Sequence, residues 1–175
     1  MWKAVSKYPQ PHSRWILAIT LLVSGCDGNH YETAPDFSLQ DKTGTVYQLN
    51  SFNPQIATGN LQGDYLLINF WASWCSPCVR EMPLLQQVHN NHKQALTVVG
   101  IAADEIDRAQ NFADQLGLTY PLLYAEPLDI YKLMGAYGNP QGNLPYTVLI
   151  NPAGEITWQH LGQLDDEQLS ILPIH

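Results

Sequence analysis

Trp71-Ala72-Ser73-Trp74-Cys75-Ser76-Pro77-Cys78 is the stretch on which the fold and the chemistry of this 175-residue chain turn. It follows a nearly continuous apolar run, Tyr65-Leu66-Leu67-Ile68-Asn69-Phe70-Trp71, which reads as a strand buried on both faces. It opens a segment with helical character from about Pro77 to His92. The head of a helix supplies unpaired N–H groups and the positive end of a dipole, and both favour a thiolate on Cys75. Two thiols at this spacing open and close a disulfide with little backbone movement. The segment therefore points to electron exchange with other thiols. Cys75 is the expected nucleophile, and Cys78, a turn inside and more buried, is the residue expected to resolve a mixed disulfide.

Outward from that point, strands and helices alternate. Leu96-Thr97-Val98-Val99-Gly100-Ile101-Ala102 is a second buried strand, and 107–116 is a helix with Ala109, Phe112, Ala113 and Leu116 on one side, ending at Gly117. Pro83 is expected to bend the first helix, because proline removes one hydrogen bond and crowds the preceding turn. Residues 120–124 suggest a short strand and 128–137 a shorter helix. Tyr146–Ile150, the turn Asn151-Pro152-Ala153-Gly154 and 155–160 read as strand, turn, strand, with a terminal helix over 165–171. Before the redox segment, 36–40 and 45–49 flank the turn Asp41-Lys42-Thr43-Gly44 as a hairpin, and 50–63 is irregular. The class is α/β, a mixed sheet flanked by helices.

The net charge of −8 hides an asymmetry, since Lys3, Lys7 and Arg14 precede every acid. The acidic remainder argues against nucleic acid as a partner. The basic start leads into Trp15-Ile16-Leu17-Ala18-Ile19-Thr20-Leu21-Leu22-Val23, too short to span a bilayer and suited to a secretory signal. Leu22-Val23-Ser24-Gly25-Cys26 resembles a bacterial lipobox, in which Cys26 is lipidated. An ordinary cleavage after Gly25, with Cys26 a free thiol, is the other reading. The resulting division is a signal peptide over 1–25, a tether over 26–33 and one domain over 34–175. Export leads to a compartment where disulfides persist, yet only Cys75 and Cys78 remain there, so a working redox couple is favoured over a structural framework.

Ala34-Pro35-Asp36-Phe37, then Asn69 through Pro83, then Gly142-Asn143-Leu144-Pro145-Tyr146-Thr147-Val148-Leu149-Ile150, then Asn151-Pro152-Ala153-Gly154 occur in the order seen in one family. Over residues 33–172 the chain resembles the TlpA-like (ResA/TlpA-type) group of exported thioredoxin-fold thiol-disulfide oxidoreductases. The resemblance implies a thioredoxin fold with an N-terminal hairpin and, between Asp104 and Asn139, a central strand–helix insert. It implies that Pro145 is the cis residue beside the disulfide and that Leu144 offers its backbone to an extended substrate, with Trp74 as an apolar contact for partners. Where thioredoxin has a buried aspartate this chain has Asn69, and the group carries instead the glutamate matched by Glu81, a partly buried carboxylate that tunes Cys78 or shuttles its proton. Expected partners are exported proteins bearing thiols or disulfides, such as apocytochrome c in cytochrome c biogenesis, and a DsbD-type membrane electron donor. The protein is expected to be a lipid-anchored monomer facing the periplasm from the inner membrane, with no cofactor.

Competing chemistries are weaker. Cys75, Cys78, His89 and His92 loosely resemble a zinc set, but in a helix His89 lies about 16 Å along the axis from Cys78, and zinc ligands lie within about 2.3 Å of the metal. No metal is therefore expected, and both histidines are expected on the solvated end of the helix. Ala34-Pro35-Asp36-Phe37 also opens peroxiredoxins, but their Pro-x-x-x-Thr/Ser-x-x-Cys pattern is missing: Ile68 and Ala72 stand at the proline and hydroxyl positions. Two alternatives stay open, a disulfide-forming oxidant using the same site and a non-catalytic tethered binding module.

Overall fold

The computed structural model describes residues 32–50 and 65–172. The signal segment, Cys26 and most of the tether therefore lie outside the described residues. So does nearly all of the irregular stretch 50–63.

The two apolar runs are the central strands. β4 (Tyr65–Trp71) and β5 (Leu96–Ala102) pair in parallel, from Tyr65↔Leu96 to Trp71↔Ala102. β7 (Tyr146–Ile150) lies antiparallel on the other side of β4, with Asn69 opposite Thr147. β8 (Glu155–Leu161) returns beside β7. With β6 (Leu122–Leu123) at one edge and β1 (Glu32–Thr33) at the other, the sheet order is β1-β8-β7-β4-β5-β6. Side chains alternate across each strand, so one sequence fills two cores. Leu67 and Trp71 face α1 (Ser76–Asn91), α2 (Ile106–Leu116) and α4 (Asp166–Ser170), whereas Leu66, Ile68 and Phe70 face α3 (Pro127–Ala136). Both faces are covered, which is why β4 and β5 read as continuous apolar runs. The hairpin β2 (Phe37–Gln40) and β3 (Val46–Leu49) belongs to the α3 side and joins the main sheet through the Gln40–Tyr124 bridge.

Several elements depart from expectation. The last two residues assigned to the tether, Glu32 and Thr33, form β1 on the edge of β8; two residues carry no periodicity from which to read a strand. β6 is shorter than 120–124, because only Gly100 and Ile101 of β5 offer it partners. Leu116, placed on the buried stripe of α2, is 37% exposed. The helix buries the short Ala109 and Ala113 and lays Phe112 against Trp71 instead, and it ends at Gly117 with φ +63°. As the sequence suggested, Pro83 lies inside α1, on its exposed face. Gly100 is needed for close approach, since a Cβ there would stand 2.5 Å from Leu122 Cδ2 and 3.1 Å from Trp71 Nε1.

Candidate active site

β4 ends at Trp71 and the chain turns sharply, with Cys75 N–H donating to the Ala72 carbonyl at 3.1 Å. Cys75 is extended (φ −87°, ψ 96°) and forms the N-cap of α1. Pro77 falls at the start of the helix, where a missing N–H removes no helical bond. Cys78 N–H donates to Cys75 Sγ at 3.3 Å. A sulfur thus occupies the capping position that hydroxyl or carboxylate oxygens usually take. Cys75 and Cys78 are joined as a disulfide, with Cys75 5% exposed and Cys78 fully buried. Trp74 projects beside them at 57% exposure, while Trp71 is buried in the core.

Glu81 follows one turn after Cys78 on α1 and is 1% exposed. Leu164 N–H, in the loop after β8, donates to its Oε2 at 2.6 Å, and Asn69 Nδ2 donates to Oε1 at 2.7 Å. Burial pushes its carboxyl up to about 7, against the downward pull of those two donors. The same Asn69 nitrogen donates to Thr147 Oγ1 at 3.0 Å. The fold therefore brings Cys75, Cys78, Glu81 and Asn69 together, and it adds Thr147 and Leu164, which sequence reasoning did not single out. No local pattern marks these two, because one enters through the β4–β7 register and the other through a loop.

A second missed pair holds the turn itself. Asp104, 4% exposed at the end of β5, accepts Ser73 N–H at 2.9 Å and the Ser73 hydroxyl at 2.5 Å on one oxygen. Its other oxygen takes Glu105 N–H at 2.8 Å and Arg108 at 3.5 Å. An acid two residues after a buried strand, at the carboxyl end of the sheet, is a legible signal. The loop before β7 completes the rim. The Leu144–Pro145 bond is cis, Pro145 is buried with its carbonyl accepting Gly162 N–H at 2.9 Å, and Leu144 is half-buried between the two cores. Arg80 reaches across to Gln163 Oε1 at 2.9 Å.

The histidines of α1 correct one expectation. His89 is half-buried, its Nδ1 is shielded from solvent and its ring lies 6.2 Å from that of Tyr120. Burial, then Lys93, pushes its imidazole below the usual range. The stripe Glu81, Leu85, His89 faces inward, which the solvated-end assignment missed. Among the described residues there is no cluster of three or more His, Cys, Asp or Glu able to hold a metal, and no helix long and apolar enough to cross a membrane.

Relatives of the chain include named thiol-disulfide oxidoreductases. The thiol-disulfide oxidoreductase ResA of Bacillus thuringiensis (strain Al Hakam) is 33% identical over 138 residues, covering 78% of this chain and 72% of that protein. A solved thioredoxin-related protein of Neisseria meningitidis serogroup B is 32% identical with a TM-score of 0.56, over 63% of this chain and 83% of that one. The thioredoxin domain of a thiol-disulfide oxidoreductase from Bacteroides vulgatus, at 23% identity, shares the fold with a TM-score of 0.62, over 79% and 90% of the two chains. With the dithiol pair at the head of α1, this makes the protein an enzyme of thiol–disulfide exchange on a thioredoxin-like scaffold. It belongs to the AhpC/TSA family, whose model matches residues 31–159 and so takes in both the Ala34–Phe37 opening and the cysteine pair.

Proposed function

We propose that the protein is an exported, membrane-tethered reductase of protein disulfides. The Cys75 thiolate attacks a substrate disulfide, one substrate sulfur leaves as a thiolate, and a mixed disulfide forms. Cys78 gives its proton to Glu81, attacks Cys75 Sγ and releases the reduced substrate, leaving the disulfide seen here. Two electrons from a DsbD-type membrane donor restore the dithiol. The observation that carries this reading is the first-turn N–H of Cys78 aimed at Cys75 Sγ, with a carboxyl buried one turn further on. A donated N–H stabilises sulfur as an anion, and residues three apart on a helix are neighbours, which supports Glu81 as the acceptor of the Cys78 proton.

Trp74 and the Leu144–Pro145 loop form the substrate rim in this reading, with Trp74 supplying exposed apolar area beside the nucleophile. Substrates are exported proteins with accessible disulfides, the oxidised cysteine pair of apocytochrome c among them. The signal-like start and the lipobox-like Leu22–Cys26 support the export and the anchor. The test is trapping. C78A is expected to hold substrates as mixed disulfides on Cys75, identifiable by mass spectrometry, and wild type is expected to reduce insulin where C75S does not. Equal turnover by wild type and C75S would sink the reading. A reduction potential near −120 mV, instead of below about −200 mV, would turn it into an oxidant.

A further inference from the structure

Asn69 is bonded in an unusual way. Its Nδ2 serves both Glu81 Oε1 at 2.7 Å and Thr147 Oγ1 at 3.0 Å, while its Oδ1 is buried with no partner among the described residues. An amide with both donors used and its acceptor idle is matched to an anion. A carboxylate and a hydroxyl oxygen both accept, so two N–H groups satisfy them. Leu164 N–H, a backbone donor that cannot turn away, holds Oε2, so a proton bound by the carboxyl sits on Oε1, the oxygen that faces the amide, and makes it a donor. A fixed NH2 would then meet an O–H, donor against donor.

We propose that Asn69 is a positioning residue whose side-chain amide turns over with the proton on Glu81, with the Thr147 hydroxyl as the swivel. In the carboxylate form the amide stands as observed, donating to both neighbours. In the acid form a half-turn about χ2 brings Oδ1 to the same place, where it accepts Glu81 O–H and the reversed Thr147 O–H. That torsion is soft for asparagine, and a hydroxyl rotates between donor and acceptor without moving its oxygen. The outward end of the amide is an unpaired carbonyl in the first orientation and an unpaired NH2 in the second, a cost to the acid form that is offset by removing the donor-against-donor contact and by the two O–H bonds that Oδ1 then accepts. The device rests on the proposed role of Glu81. It lets the acid take the Cys78 proton without leaving a buried clash. An aspartate at position 69 could not do this, because it cannot present two donors.

Other titratable or charged groups near Glu81 do not replace this partner. Tyr120 lies near it with its hydroxyl unpartnered, and burial, then the Glu81 carboxylate, pushes that phenol up, so it stays neutral. Arg80 beside it on α1 and Asp165 beside Leu164 are exposed. β4 and β7 contribute only the Asn69 amide and the Thr147 hydroxyl to the hydrogen bonds around it. β8 contributes His160, opposite Thr147 in the register.

The test is a carbon-13 NMR titration of the Glu81 carboxyl in the full chain in its oxidised state, where the cysteines do not titrate. Thr147→Val removes the hydroxyl at nearly constant shape. With a turning amide, the carboxylate form then buries an orphaned N–H, whereas the acid form only loses one of two donors to a carbonyl. An orphaned donor is the costlier defect, so the Glu81 midpoint is expected to rise by about one pH unit. Thr147→Ser restores the wild-type midpoint. A fixed amide suffers the same orphan in both forms, so an unmoved midpoint in Thr147→Val overturns the proposal. A shift reproduced by His160→Gln overturns it as well. In wild type, the contact between the Asn69 amide protons and the Thr147 methyl is expected on the alkaline side of the midpoint and lost on the acid side; its persistence on both sides also overturns the proposal. These titrations involve no turnover. A failure of Glu81 as proton acceptor would instead show as unchanged resolution of trapped disulfides in E81Q.

Discussion

Two acids are buried on either side of the redox turn, and they live in opposite surroundings. Asp104 receives Ser73 N–H, the Ser73 hydroxyl, Glu105 N–H and the guanidinium of Arg108. Glu81 receives one backbone N–H and one amide N–H, and among the described residues no cation is bonded to it. The first arrangement ties two loops together and fixes the approach to Cys75. The second holds its acid loosely enough that burial raises the carboxyl to about 7, close to where a proton is useful in thiol exchange. On the proposed mechanism the same carboxyl group is thus a clamp or a proton acceptor, depending on how many donors the fold aims at it.

The sharpest way to break this comparison is E81Q. Glutamine keeps the shape and the contact with Leu164 but cannot accept a proton. Resolution of a Cys75 mixed disulfide is expected to slow by about a thousandfold, within the usual range for general-base catalysis. In wild type that step should accelerate as pH rises through about 7, where Glu81 becomes a carboxylate; in E81Q this rise disappears. Single-turnover kinetics from pH 5.5 to 8.5 read both effects.

D104A tests the clamp. It orphans two N–H groups and a hydroxyl, and about 3 kcal/mol of stability should be lost in urea unfolding. Trp74 fluorescence is expected to change, because Ser73 precedes it directly.

The third expectation concerns stability against pH, and its sign follows from linkage. The Glu81 carboxyl is raised from 4.5 to about 7 in the fold, so the folded state holds the proton more tightly than the unfolded chain. Its contribution is complete below about 4.5 and is lost as pH climbs towards 7, a fall on the order of 3 kcal/mol. The fall is absent in E81Q, and denaturant midpoints across that window measure it.

The smallest effect belongs to R108A. Arg108 is 60% exposed and touches Asp104 at 3.5 Å, so its removal should change stability by less than about 0.5 kcal/mol. A larger loss would mean that the clamp depends on the cation more than on the Ser73 bonds.

Much of the scaffold is written locally. The apolar runs at 65–71 and 96–102 name the two central strands, because a strand covered on both faces has no polar alternation to disguise it. Cys75 and Cys78 announce themselves by spacing and by their place before a helix. Glu81 is visible only through the family resemblance, and nothing local shows that Asn69 and Leu164 are its partners. Asn69 itself stands out as a polar residue inside an apolar run, but the run does not say which way it donates. Leu116 looks buried by periodicity and is not, since short alanines bring α2 close to the sheet and leave its last turn outside.

The order of residues was enough to specify a thiol couple at a helix start and a mixed sheet beneath it, because capping, periodicity and the chemistry of sulfur act over a few residues. Only the assembled structure paired Asn69 with Thr147, swung Leu164 onto Glu81 and set Asp104 under Ser73. Strand register and loop placement depend on how both cores pack at once, and the hydrogen bonds that tune a buried acid depend on that packing.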